Sequence, residues 1–408
     1  MVISRRAILA QATLAAAGGP VWTAAPATAT GRPRVEDSLR AAIRRLHESP
    51  HGPPAVVVAI GRGPGTSLYT AGVPQLGARR DPRAGDRMRV ASVAKAFSGA
   101  TALSLVSSGR LSLDTTVGRT ARGMPREWSA VTLRQLLGHT SGIPDFSGTT
   151  EFRDTLVADL HDPPPPQELL SYATDPDLLF RPGSRYEYSN SDNILVALMC
   201  EAATGRRYED VLRQRVLQPL GLRDTSLPRG PDLPEPALHG YDTTVAGPPE
   251  DVTSAVAAGW SWASGGMVSA PADLVRFIRG YVGGDLIDHK TRDARFRSAR
   301  VAPNPPARAR TQPAWPSSAT TPATAASTAT PATPSATPSF TAATPDGRGG
   351  VAVSITAQIT RRPGRRCSGS CGRSSSWPSE CCWRIGNGRT RAGRVFAAGR
   401  PVGGTAAR

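Results

Sequence analysis

Apolar positions along this chain follow helical and strand periods in turn. Residues 36–47 pattern as an amphipathic helix, while 55–60 and 67–71 alternate as two paired strands. Residues 93–106 set Phe97, Thr101, Leu103 and Leu105 among small side chains, which suits a buried central helix. A second apolar helix is predicted over 194–203, and shorter helical stretches around 133–137, 167–173, 208–216 and 272–281. Residues 186–188 read as a short extended run after the Arg181-Pro182-Gly183 turn signal. Near the other end, β-rich runs flank Asp346-Gly347, so 340–360 should fold as a terminal hairpin in the same sheet as 55–60 and 67–71. No internal repeat interrupts the pattern.

Two polar motifs stand at the starts of the two apolar helices. Ser92-Val93-Ala94-Lys95 places an amine three residues after a hydroxyl, on one face of a helix. A desolvated amine loses its proton near neutral pH and can act as the base that activates a serine. Ser92 would also sit where backbone N–H groups point outward, suited to a developing oxyanion. Alone, the spacing also fits an exposed helix start with Ser92 as N-cap. The second motif is Tyr188-Ser189-Asn190, between the extended run and the helix. A tyrosine there relays a proton, and an asparagine amide holds Lys95 or a substrate carbonyl, although a structural tyrosine with an Asx turn fits the same letters.

The order and spacing of the two motifs resemble the serine penicillin-recognising family, and within it the D-alanyl-D-alanine carboxypeptidase and class C β-lactamase branch. Leu136-Leu137-Gly138-His139-Thr140-Ser141-Gly142-Ile143, Phe180-Arg181-Pro182-Gly183, Gln218-Pro219-Leu220-Gly221-Leu222 and Ser264-Gly265-Gly266-Met267 extend the resemblance over residues 54–288. It implies an α/β (α+β) fold: an antiparallel sheet flanked by helices, an all-helical subdomain, and the nucleophile at their junction. It also implies that Ser92 is acylated, Lys95 accepts its proton, Tyr188 passes a proton to the leaving group, and Asn190 positions substrate. His139 invites a triad reading, but its stretch is structural in this family. The expected function is an exported serine hydrolase working through an acyl-enzyme, foremost a D-alanyl-D-alanine carboxypeptidase acting on peptidoglycan stems. A class C-like β-lactamase or an esterase on the same scaffold is the alternative, since these share nucleophile and base.

The family's third motif, Lys-Thr-Gly or His-x-Gly on a late strand, has no counterpart. The last histidine is His289 and the last lysine Lys290, with Arg292 where the glycine would stand. A catalytically impaired member is therefore a further alternative. Beyond this point the composition changes abruptly: 316–340 carries no charged residue and is almost wholly Ala, Thr, Pro and Ser. Residues 30–290 hold 29 basic and 29 acidic side chains, whereas 291–315 hold six Arg and one Asp and 361–408 eleven Arg and one Glu. The excess charge belongs to those segments and argues against a nucleic-acid partner for the body. The expected division is a leader at 1–29, the hydrolase body at 30–290, a low-complexity segment at 291–339, the hairpin at 340–360 and a basic tail at 361–408. Segments 291–339 and 361–408 read as out-of-frame translation, or else as a genuine linker and a divergent tail.

Cys200 falls in the apolar helix as a small core residue, and Cys367, Cys371, Cys381 and Cys382 fall in the tail with spacing that fits no standard zinc site. Neither metal nor cofactor is expected. Ser4-Arg5-Arg6-Ala7-Ile8-Leu9 begins a twin-arginine leader, with Ala27-Thr28-Ala29 as its cleavage site. Gly18-Gly19-Pro20 breaks a stretch already too short to span a bilayer. The mature chain is expected outside the cytoplasm, as a monomer, with a small molecule or peptidoglycan peptide as substrate.

Overall fold

A computed structural model describes residues 35–243, 247–298, 325–326 and 337–357, with backbone alone at 294–298 and 325–326. The leader, most of 291–339 and the tail at 361–408 with its four cysteines lie outside the described residues.

Helix α1 (Val35–His47) starts with Glu36 and Asp37 and ends with Arg44, Arg45 and His47, each set opposing the helix dipole at its own end. Next in the chain are strands β1 (Ala55–Arg62) and β2 (Gly65–Gly72), antiparallel with Val58 opposite Tyr69 and Arg62 opposite Gly65. Gly63 makes the connecting turn at φ +59°, a conformation that a side chain disfavours. The chain returns to this sheet late, through β3 (Ala325–Ala326), β4 (Ser339–Ala343) and β5 (Gly349–Ile355). Sheet order is β2-β1-β5-β4-β3, all antiparallel, with Val56 opposite Ile355 and Ser339 opposite Ser354. The terminal hairpin thus joins the first two strands, as the pattern of its residues requires. Its turn has Gly347 at φ +70°.

Helices cover both faces of the sheet. On one, Ile43 of α1 packs with Val56, Val58 and Tyr69. On the other, Val57, Ala59 and Ala352 merge into the main core. That core surrounds α2 (Ala94–Ser107), α3 (Asn190–Thr204) and α4 (Pro271–Gly283). Helix α2 is buried nearly all round, which fits its lack of a polar face. The Phe97 ring of α2 stacks on Phe277 of α4 at 3.7 Å between centroids. Gly61 and Gly350 let α4 approach closely: a Cβ on Gly61 would stand 2.4 Å from Val275, and one on Gly350 would stand 2.6 Å from Arg279. Short helices between residues 117 and 172, bearing Trp128, Leu133, Leu136, Phe146 and Phe152 inward, form the helical part against α3.

Four local readings are corrected. Residues 186–188 join no strand ladder; the Glu187 N–H donates to the His139 carbonyl at 2.8 Å instead. The helical stretch at 167–173 is a 3-10 turn, Glu168–Tyr172, and that at 208–216 widens after Leu212 into a π turn, Arg213–Leu217. The apolar helix expected at 194 starts at Asn190, so this residue opens a helix rather than ending a loop. Among the described residues no helix is long and apolar enough to cross a membrane.

Candidate active site

The segment before Ser92 is held rigidly. Met88 and Arg89 pair with Ser269 and Val268, and the Val90 N–H donates to the Met267 carbonyl at 3.1 Å. Ala91 then takes φ +47°, which costs a non-glycine residue roughly 1–2 kcal/mol, and opens the 3-10 turn Ala91–Val93 that leads into α2. Ser92 stands in that turn, one residue before the N-cap of α2, so the N-cap reading does not hold. The positive end of the helix backbone lies next to its hydroxyl.

Four separated pieces of chain meet here. Ser92 Oγ lies 2.7 Å from Tyr188 Oη and 3.2 Å from Lys95 Nζ. Lys95 Nζ also donates to Asn190 Oδ1 at 2.8 Å and to the Ser264 carbonyl at 2.6 Å. A neutral amine has two N–H groups and one lone pair. With both N–H groups taken by Asn190 and Ser264, the lone pair is left for the Ser92 hydroxyl. Burial pushes the Lys95 amine down to about 7, against Asp145 and Asp192, whose charges favour the protonated form. Burial raises the Tyr188 phenol far above its usual range, opposed by its bond to Ser92. The tyrosine therefore stays protonated at neutral pH, and Lys95 is the group able to accept a proton.

The asparagine is fixed at both ends of its amide. While Oδ1 holds the lysine, Nδ2 donates to Asp145 Oδ2 at 3.0 Å and Ser147 Oγ at 2.9 Å. Asp145 is itself oriented as the cap of a 3-10 turn, accepting from the Ser147 N–H and hydroxyl. Asn190 thus holds Lys95, one of the two roles open to it in the sequence.

The stretch at 139–143 brackets the Tyr188 segment. Its carbonyls accept from the N–H groups of Leu179, Gly183 and Glu187 at 2.7–2.8 Å. Gly142, at φ +80°, is required there, since a Cβ would stand 2.4 Å from the Phe180 carbonyl oxygen. Three site contributors went unseen in the sequence. Asp145 carried a signal, an Asp two residues before a Ser at a turn. The Ser264 carbonyl carried none, being backbone. The Asp192 carboxylate hid within an otherwise apolar helix. Beside the site, the described part of the outermost strand, Ala325–Ala326, carries no cation.

Comparison with known proteins agrees with this geometry. The Beta-lactamase family model matches residues 39–367. Penicillin-binding protein 4* of Bacillus subtilis is 26% identical over 245 residues, covering 57% of this chain and 53% of that protein. The D-alanyl-D-alanine-carboxypeptidase/endopeptidase AmpH of Escherichia coli is 25% identical over 222 residues, covering 53% of this chain and 54% of its own length. This chain thus spans about half the length of the curated relatives it matches. Among solved structures, a D-stereospecific amidohydrolase from Streptomyces superposes with TM-score 0.62 at 25% identity, covering 78% of this chain and 94% of that one.

Proposed function

The chain belongs to the Beta-lactamase family, and on that premise we propose that it is an exported serine hydrolase that acts through an acyl-enzyme on peptides ending in D-amino acids, foremost as a D-alanyl-D-alanine carboxypeptidase. One observation carries the reading: Ser92 Oγ lies between an amine whose N–H groups are both engaged elsewhere and a phenol held in its protonated form. Lys95 takes the Ser92 proton as Oγ bonds to the carbonyl carbon. The C–N bond breaks as Tyr188 gives its proton to the departing amine, and the Lys95 ammonium restores the phenol by giving up the proton it took from Ser92. Water then hydrolyses the ester and regenerates Ser92. Two similar proteins bear names that speak of D-residues, which supports the substrate class. The twin-arginine pattern supports export.

A second reading, an impaired hydrolase, is favoured by the missing Lys-Thr-Gly or His-x-Gly cation. A fluorescent penicillin separates the two. Covalent label on the wild type, absent from Ser92→Ala, supports the acyl-enzyme; two unlabelled proteins support the impaired form. Turnover of a D-Ala-D-Ala peptide, nitrocefin and a short ester by the labelled protein then assigns carboxypeptidase, β-lactamase or esterase.

A further inference from the structure

Tyr188 is held by more than its bond to Ser92. The His139 ring packs against the phenol ring at 4.8 Å between centroids, tilted by 35°. His139 takes φ +50°, and its own carbonyl accepts from Glu187, the residue before Tyr188. The N–H of Ser189, the residue after Tyr188, approaches His139 Nδ1 at 3.4 Å. That nitrogen makes its closer contact, 2.9 Å, with Asp192 Oδ2. Asp192 lies in the first turn of α3, fully enclosed, and its other oxygen accepts from Ser141 Oγ at 2.5 Å.

A buried carboxylate with a histidine partner is a costly way to fill space. Apolar side chains of the same volume generally serve stability as well or better. What the pair supplies is orientation: the Nδ1–H bond to a fixed carboxylate sets the ring plane, and the ring plane sets the phenol that packs against it. A second effect reaches the amine. Asp192 and Asp145 are the two carboxylates whose charge favours the protonated Lys95; Tyr188, the other titratable group against Lys95, is neutral at working pH.

We propose that His139 and Asp192 are positioning residues for acyl transfer, with Asp192 orienting the imidazole and the imidazole holding the Tyr188 phenol at Ser92. This rests on the reading that Ser92 is acylated, and it adds a function to a stretch that the family resemblance treats as structural.

The test measures acylation by a fluorescent penicillin in the full-length protein, per folded molecule and across pH, for wild type, His139→Leu, Asp192→Ala and Asp192→Asn. His139→Leu and Asp192→Ala should acylate ten- to a hundredfold more slowly at an unchanged half-saturating probe concentration. Asp192→Asn keeps an acceptor for the imidazole N–H, so it should recover most of the rate. It also removes a charge that favours protonated Lys95, so its acid limb should move to lower pH. A purely structural role predicts less folded protein but the wild-type plateau rate in what remains, and that result overturns the proposal alone. If the wild type itself takes no label, the acyl-enzyme reading falls, and the proposal falls with it.

Discussion

The outer face of the sheet and the seam between α2 and α3 are buried to similar depth by opposite chemistry. Under α1 the enclosed side chains are Ile43, Val56, Val58 and Tyr69. In the seam they include Ser98, Asn190, Ser191, Asp192 and Asn193, all below a tenth exposed. The first set needs only volume and area, so any well-packed apolar substitute would serve. The second must satisfy every donor and acceptor, as Ser98 Oγ does by donating to Asn193 Oδ1 at 2.6 Å. One layer keeps the protein folded. The other holds particular atoms at particular distances, even at some expense to stability, and Lys95 is its extreme case.

Lys95→Ala offers the sharpest separation of the two regions. Loss of a positioned base lowers acylation by on the order of 10³-fold. Its effect on stability has the opposite sign to that of an ordinary core truncation. The folded-state pKa of about 7 lies below the usual 10.5, so between those values the unfolded chain holds a proton that the folded chain has released. Stability therefore rises with pH through that window and carries the full penalty below it. At pH 6 the wild type must bury a cation, which the alanine variant avoids. Its thermal midpoint at pH 6 should equal or exceed that of the wild type, and a fall like that of an apolar truncation would erase the contrast.

The converse experiment is Ile43→Ala. Ile43 is 4% exposed in the α1 layer, and its truncation should cost about 3 kcal/mol in denaturant unfolding. Acylation per folded molecule should stay at the wild-type rate, because nothing in that layer touches Ser92. A rate loss beyond the folded fraction would mean that the sheet's outer face also sets the geometry of the site.

The same division explains what the letters revealed. Helix α1, with its acidic start and basic end, and the strands β1, β2 and β5 were legible because period and turn chemistry are local properties. Ser92 and Lys95 were legible as a pair because three residues on a helix are also local. Tyr188 and Asn190 required a motif, since 96 and 95 residues separate them from their partners. The carbonyl of Ser264, 169 residues from Lys95, has no signature at all, because every residue has a carbonyl. Asp192 was masked by its neighbours: Ile194, Leu195 and Val196 give the helix an apolar reading, and a single carboxylate does not change a period. The run at 186–188 misled because its tyrosines favour extended backbone, while the Glu187 N–H donates to the His139 carbonyl rather than to a strand.

The smallest expected effect concerns the charge balance within the seam. If Lys95 must be neutral to accept the Ser92 proton, acylation falls about tenfold for each pH unit below its pKa and levels off above it. With the amine at about 7, the limb belongs near neutrality rather than near the 10.5 of an exposed lysine. Burial sets that position, and Asp145 partly opposes it by favouring the charged form. Asp145→Asn keeps an acceptor for Asn190 Nδ2 while removing the charge, so the limb should shift to lower pH with the plateau nearly intact. Stopped-flow labelling from pH 5 to pH 9 reads both. A limb that stays in place after Asp145→Asn assigns it to a different group, and a profile without a limb removes the neutral amine from the reaction. A shift to higher pH would mean that the substitution lets water back to the amine, so that Asp145 acts mainly by keeping the seam closed rather than by its charge.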